Sequence, residues 1–184
     1  MTTLHARALD EIRACLDKVR SDELDGAIAE LADAGRIALY GVGREGLQIK
    51  GLAMRLYHLG RQAAVVGDMT TPPVGPGDLL VVSAGPGDFS TVAALMGEAR
   101  AAGARTLVVT AEPAGAAAAR ADAVLTVPAQ TMASDQGAAV TSVLPMGSLY
   151  EGALYVLFEI LILGLRERLG VTPAQMRANH TNLE

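Results

Sequence analysis

The chain has 184 residues, of which 51% are hydrophobic and 19% charged, a balance that excludes a disordered polypeptide and suits one domain with a single core. Its formal net charge is −5 and no lysine–arginine run occurs, which argues against nucleic acid and against an anionic membrane surface as partners. Cys15 is the only cysteine, so neither a disulfide framework nor a thiolate metal cluster is available.

Two amphipathic helices open the chain, over 4–20 and 22–34. Leu9, Ile12, Leu16 and Val19 recur at helical spacing in the first, and Leu24, Ile28 and Leu31 in the second; Gly35 stops it. Five apolar segments follow, at 36–40, 62–66, 79–83, 105–110 and 123–127. Val65-Val66, Leu79 to Val82 and Leu107 to Val109 are apolar on both faces, as buried parallel strands are. Helices are expected between them at about 44–59, 89–102 and 113–119. A loop over 128–145 leads to a long helix at about 147–169, and a short helix, 173–178, starts at Pro173 and leads into the tail 173–184. No internal repeat, linker or charge block divides the chain. The reading is one α/β domain over 1–184, a three-layer α/β/α sandwich on a five-stranded parallel sheet of flavodoxin-like order 2-1-3-4-5.

Residues 1–5 begin no apolar signal segment, and the most apolar run, 153–165, is interrupted by Glu159 and too short to span a bilayer. A cytoplasmic protein is expected. Aromatic residues make up only 3%, and the small residues that replace them leave little apolar area per side chain, so burial is expected to continue in an oligomer. The long helix, apolar nearly all round, suits a position between subunits.

In this sheet order the ligand crevice opens at the switch point between the first and third strands, where the loops begin at Gly41 and Ser83. The first loop reads Gly41-Val42-Gly43-Arg44-Glu45-Gly46. Glycines there let the backbone come close to a ligand, and the N–H groups of a helix start favour an anion. Read literally it is the dinucleotide fingerprint, with Asp68 at the end of the second strand as the ribose acid. The sheet, however, ends before a second mononucleotide half, and no separate catalytic domain follows.

Longer stretches point elsewhere. Gly43-Arg44-x-Gly46, then Ala53-Met54-Arg55-Leu56-x-His58-Leu59-Gly60, then Gly67-Asp68-x-Thr70-Thr71-Pro72 stand in order. Leu144-Pro145-Met146-Gly147-Ser148-Leu149-x-Glu151 and Met176-Arg177-x-x-His180-x-Asn182-Leu183-Glu184 complete the series. Together they resemble the 6-phospho-3-hexuloisomerase family, a branch of the sugar isomerase (SIS) domain fold, nearly end to end. The resemblance implies interconversion of a 3-ketohexulose 6-phosphate and fructose 6-phosphate through an enediolate, without metal or redox cofactor. It implies a homodimer or homotetramer with clefts at subunit contacts. It makes Glu151, in the first turn of the long helix, the proton-transfer base, where position alone suggests a carboxylate favoured by the helix dipole. It makes His180 a second acid or base, reaching a neighbouring subunit's cleft, and His58 structural or secondary. His5 reads as a surface residue. Gly43, Arg44, Glu45, Thr70, Thr71, Ser83, Gly87, Asp88 and Ser90 are the candidate substrate-binding residues.

The chain departs from the family pattern at the phosphate anchors. The family turn usually carries serine after the arginine, where this chain has Glu45. The loop after the third strand usually reads Ser-Gly-Ser-Gly-Glu-Thr, and here it is Ser83-Ala84-Gly85-Pro86-Gly87-Asp88-Phe89-Ser90. Pro86 also removes an N–H donor. A carboxylate about 5 Å from a phosphate charge repels it by roughly 3 kcal/mol at an effective dielectric of 20, about a hundredfold in affinity. If Glu45 points into the crevice, the substrate is expected to be a different or unphosphorylated sugar. The alternatives are a SIS module that senses a sugar without turning it over, and an NAD-binding protein.

Overall fold

The structure is a computed structural model that describes residues 2–183; Met1, and Glu184 at the end of the tail motif, lie outside the described residues. Two helices, α1 (Leu4–Leu16) and α2 (Ser21–Asp33), precede the alternating part of the chain. That part runs β1 (Arg36–Gly41), α3 (Gly43–His58), β2 (Gln62–Val65), β3 (Leu79–Ser83), α4 (Ser90–Ala101), β4 (Arg105–Thr110), α5 (Ala116–Arg120) and β5 (Ala123–Thr126). A 3₁₀ turn (Gly137–Ala139), then α6 (Ser148–Leu169) and α7 (Pro173–Ala178), complete it. The five strands pair in parallel in the order β2-β1-β3-β4-β5, as the sequence predicts.

Strand alternation sorts the core into two layers. Leu39, Val81, Val109 and Leu125 face one side, where they join Ile49, Leu56, Leu154 and Leu161 of α3 and α6. Ala38, Leu80, Val82 and Val108 face the other, against Val92, Met96 and Ala99 of α4. A side chain in a strand points opposite to its neighbour, so a sheet covered on both faces needs apolar residues at every position. All five residues of β3, the middle strand, are buried.

Three local differences have physical causes. The first helix ends at Leu16 rather than at 20: the N–H groups of Lys18 and Val19 bond back to the carbonyls of Cys15 and Leu16, an i→i−3 tightening that turns the chain into α2. The fifth expected helix starts at Ala116, not 113, because Gly115 runs against Gly87, where an added Cβ would lie 2.7 Å from the Gly87 Cα. The long helix α6 has 22 residues, so it is long and apolar enough by length and composition to cross a membrane, whereas the run 153–165 read alone is not. Half of its most apolar window is buried inside the protein, where it packs on α1, α2 and α3 as a core helix does.

Candidate functional site

The sheet order sets β1 and β3 side by side, with Gly41 in register with Ser83. Both strands end there, and α3 begins two residues later, almost on top of its strand. A Cβ on Gly46 would lie 2.5 Å from the Gly41 carbonyl oxygen, and a Cβ on Gly41 would lie 2.9 Å from the Gly46 nitrogen. The glycines of the turn therefore serve a close approach of helix to strand, whatever the ligand. Gly46→Ala forces backbone apart, and overpacking of this kind costs about 1–3 kcal/mol. The melting temperature followed by circular dichroism should fall by about 2–12 °C in a chain of this size; an unchanged melting curve contradicts the packing account.

Opposite this turn, the start of α6 is held in an unusual conformation. Met146 (φ 55°) and Gly147 (φ 79°) are both left-handed. A left-handed non-glycine residue is strained by about 1–3 kcal/mol and persists only where its surroundings hold it. Here the Met146 N–H donates to the Asp135 carboxylate, and the Arg44 guanidinium donates to the Met146 carbonyl. A second Arg44 nitrogen donates to Ser148 Oγ at 2.8 Å and lies 3.1 Å from Glu151 Oε2. A Cβ on Gly147 would sit 2.7 Å from the Met132 nitrogen, so the loop before α6 presses on that helix start as well. Arg44 thus fastens the glycine turn to α6 and aims Glu151 at the space between them.

That space is a cavity of about 280 Å³, lined by residues 42–45, Pro86, Phe89, Thr131, Met132, Met146, Gly147, Tyr150 and Glu151. Two carboxylates face it. Glu151 keeps its carboxyl pKa above the ordinary value chiefly through burial; the Arg44 charge works against that shift and Glu45 adds to it. Glu45 is buried (8% exposed) at the third position of α3. Ser83 Oγ donates to Glu45 Oε2 at 2.6 Å, and the Gly85 N–H donates to the same oxygen at 3.0 Å. Burial raises the Glu45 pKa, and those two hydrogen bonds lower it less than burial raises it. The Tyr150 hydroxyl lies 3.3 Å from Ser83 Oγ, fully buried, with its pKa driven well up by burial first and by Glu45 second.

The structure brings together Gly43, Arg44, Glu45, Ser83 and Glu151. It sets the other sequence candidates apart from them. Thr71 Oγ1 donates to the carbonyls of Val65 (2.7 Å) and Asp68 (2.8 Å), shaping the turn after β2. Thr70 lines a different groove, with Tyr57, Arg61 and Asn179. Gly87 (φ 96°) makes the tight turn below the loop, Asp88 lies 3.8 Å from Arg120, and Ser90 starts α4 exposed. His180 stacks on His58 with ring centroids 5.1 Å apart, at the C-terminal end of α3. Glu45 stands at the other end of that 16-residue helix, about 20 Å away at 1.5 Å per residue. Within one chain, therefore, His180 and Glu151 do not share a cleft.

Sequence reasoning missed Tyr150, Phe89, Thr131 and Met132 as lining residues. Tyr150 had a usable signal, since it adjoins Glu151; in the fold its ring lies over Gly85, where a Cβ would meet Tyr150 Cε1 at 2.8 Å and Glu45 Oε1 at 3.0 Å. Thr131 and Met132 sit in an irregular loop, where no periodicity assigns a direction to a side chain.

Comparison with known proteins gives one consistent picture. The family model for the SIS domain matches residues 30–156. The chain is 30% identical over 179 residues to a 3-hexulose-6-phosphate isomerase of Bacillus subtilis, with 97% of this chain and 96% of that protein covered. It is 35% identical over 175 residues to a protein of the same name from Mycobacterium gastri, with 95% and 87% covered. Among solved structures, a Methanococcus jannaschii protein whose structure was taken to infer a 3-hexulose-6-phosphate isomerase function superposes with a TM-score of 0.83. It shares 26% identity, and the match covers 97% of each chain.

Proposed function

The chain belongs to the SIS domain family, in its 3-hexulose-6-phosphate isomerase-like branch, and from that membership we propose that it is a sugar isomerase whose base is Glu151. The observation that carries the assignment is a carboxylate with a raised pKa, half enclosed in the switch-point cavity, with a guanidinium 3.1 Å away. Glu151 takes a proton from the carbon next to the sugar carbonyl and returns it to the neighbouring carbon. Arg44, on the same side of the cavity, stabilises the charge that develops on oxygen as the enediolate forms. His180, at the far end of α3, serves the cleft of a neighbouring subunit. That arrangement fits a homodimer or homotetramer in the cytoplasm, and exposed Leu47, Met54, Tyr155 and Leu163 on α3 and α6 supply apolar surface for one.

The substrate's far end differs from that of the relatives. The Ser83 hydroxyl and the Gly85 N–H, which stand where the family loop holds phosphate, already donate to Glu45. Arg44, the one cationic residue lining the cavity among the described residues, stands beside Glu151 at the proton-transfer end. The site is therefore read as taking a sugar with an uncharged end. Isomerisation followed by NMR, with fructose 6-phosphate beside unphosphorylated ketoses, tests this. Turnover of a neutral ketose is expected, and fructose 6-phosphate turned over more efficiently than any neutral sugar overturns the substrate assignment. Binding of sugars without turnover of any would leave the sensing module as the function.

A further inference from the structure

A group that exchanges protons with a substrate must be held to within about 0.5 Å and 10–20° of its working geometry. His180 stands where the local chain does not provide this. α7 ends at Ala178, Asn179 caps it, and residues 180–183 follow without regular structure, with His180 exposed. The ring has to be supported from elsewhere in the fold. On the reading that His180 serves the cleft of a neighbouring subunit, we infer that His58 is its positioning residue: the buried imidazole beneath it fixes the place and plane of the His180 ring.

Two contacts converge on His58. The two imidazoles are stacked, with centroids 5.1 Å apart and planes 25° from parallel. The Asn179 side-chain amide donates to the His58 carbonyl oxygen at 3.0 Å, which ties the residue before His180 to the end of α3. His58 thus holds the tail twice, by its carbonyl and by its ring. It can do so because it is itself fixed. It is the last residue of α3, and α7 packs on that helix with Met176 reaching the core. His58 is only 8% exposed, and an apolar side chain would fill such a place at less desolvation cost. A flat polar ring there is explained by what lies on it. A third contact selects the working nitrogen. His180 Nδ1 lies 2.9 Å from the Thr181 carbonyl oxygen, which only accepts; Nδ1 therefore carries a hydrogen, and the neutral ring takes its proton at Nε2. Stacking occupies a face of the ring and proton exchange takes place at its edge, so the support does not compete with the chemistry. His58 touches the His180 ring and not the sugar.

A double-mutant cycle tests this, on the sugar that the wild type turns over. His58→Ala should lower kcat about 10- to 100-fold with KM within about threefold, as expected when a reacting group is misplaced by about 1 Å. His58→Phe keeps a flat ring under His180 and should recover at least tenfold of any hundredfold loss, which it could not do if His58 exchanged protons itself. In the His180→Ala background, adding His58→Ala should change kcat by less than about twofold, because the residue to be positioned is gone. A His58 that merely stabilises the fold would lower the rate in both backgrounds, and that result overturns the inference. So does His58→Ala with wild-type kcat beside an impaired His180→Ala, a result that leaves the role of His180 standing. His180→Ala with wild-type kcat, or a wild type inert on every sugar, overturns the reading on which the inference rests, and the inference falls with it. If His58→Ala does not fold, ¹H NMR of the wild type and His58→Phe decides. The ring beneath should move the carbon-bound protons of His180 upfield, further for phenyl than for imidazole, and His180 resonances at the positions of a solvated histidine in both proteins overturn the inference.

Discussion

Glu151→Gln is expected to lower kcat by about a thousandfold or more while leaving KM within a few-fold, since glutamine keeps the shape and polarity of the side chain but cannot accept a proton from carbon. The alternative role for a carboxylate at this position, a favourable charge in the first turn of α6, predicts a different result. A helix-dipole contribution is worth about 0.3–1 kcal/mol, and loss of it changes stability and not rate. The Arg44 pair adds little to folding, because the Arg44 side chain is 46% exposed and a pair so open is screened by water. The two accounts therefore separate on kcat against melting temperature. The pH profile adds a second check. The base works only when ionised, so the rate should fall on the acidic side. Because burial raises the Glu151 pKa, that fall should come at higher pH than for an ordinary glutamate. Steady-state kinetics of both proteins on the same ketose decide the matter, and a glutamine variant with near wild-type kcat removes Glu151 as the base.

What could be read from the sequence follows from which interactions are local. The strand order and its switch point were legible because buried parallel strands advertise themselves: Leu79 to Val82 is apolar at every position, and β3 is buried at every position. The place of Glu151 in the first turn of α6, lining the cavity, was legible through its neighbours Met146, Gly147 and Ser148, because a turn and a helix start are local events. The direction of Glu45 was not. The sequence placed it in the turn at the crevice and left open whether its charge points at the ligand. The fold turns its carboxyl onto Ser83 and Gly85, 38 and 40 residues later in the chain, and that pairing exists only once β1 and β3 lie side by side. The departures that looked independent, a glutamate in one loop and lost hydroxyls in another, are thus one rearrangement. The threonines lie away from the cavity for a simpler reason. Thr70 and Thr71 follow β2, an edge strand on the far side of β1 from β3, so their loop is one strand removed from the switch point.

The same pairing sets the second large effect. Glu45→Ser should raise the affinity for inorganic phosphate or fructose 6-phosphate by about a hundredfold at neutral to alkaline pH. Removing one carboxylate about 5 Å from a phosphate charge is worth roughly 3 kcal/mol at an effective dielectric of 20, which is that ratio. The substitution also releases the Ser83 hydroxyl and the Gly85 N–H, both now spent on Glu45. The gain should depend on pH with a definite sign. A protonated Glu45 repels no anion, and its pKa is raised, so the ratio of variant to wild-type affinity should shrink as pH falls through that pKa and grow above it. Affinity for a neutral ketose should move by less than about threefold. Pro86 still lacks the N–H that the family loop would offer, so the variant regains part of an anion seat and not all of it. Isothermal titration across pH 5 to 9 reads these outcomes together. Equal phosphate affinity in the two proteins at alkaline pH would mean that Glu45 does not stand on the anion's donors.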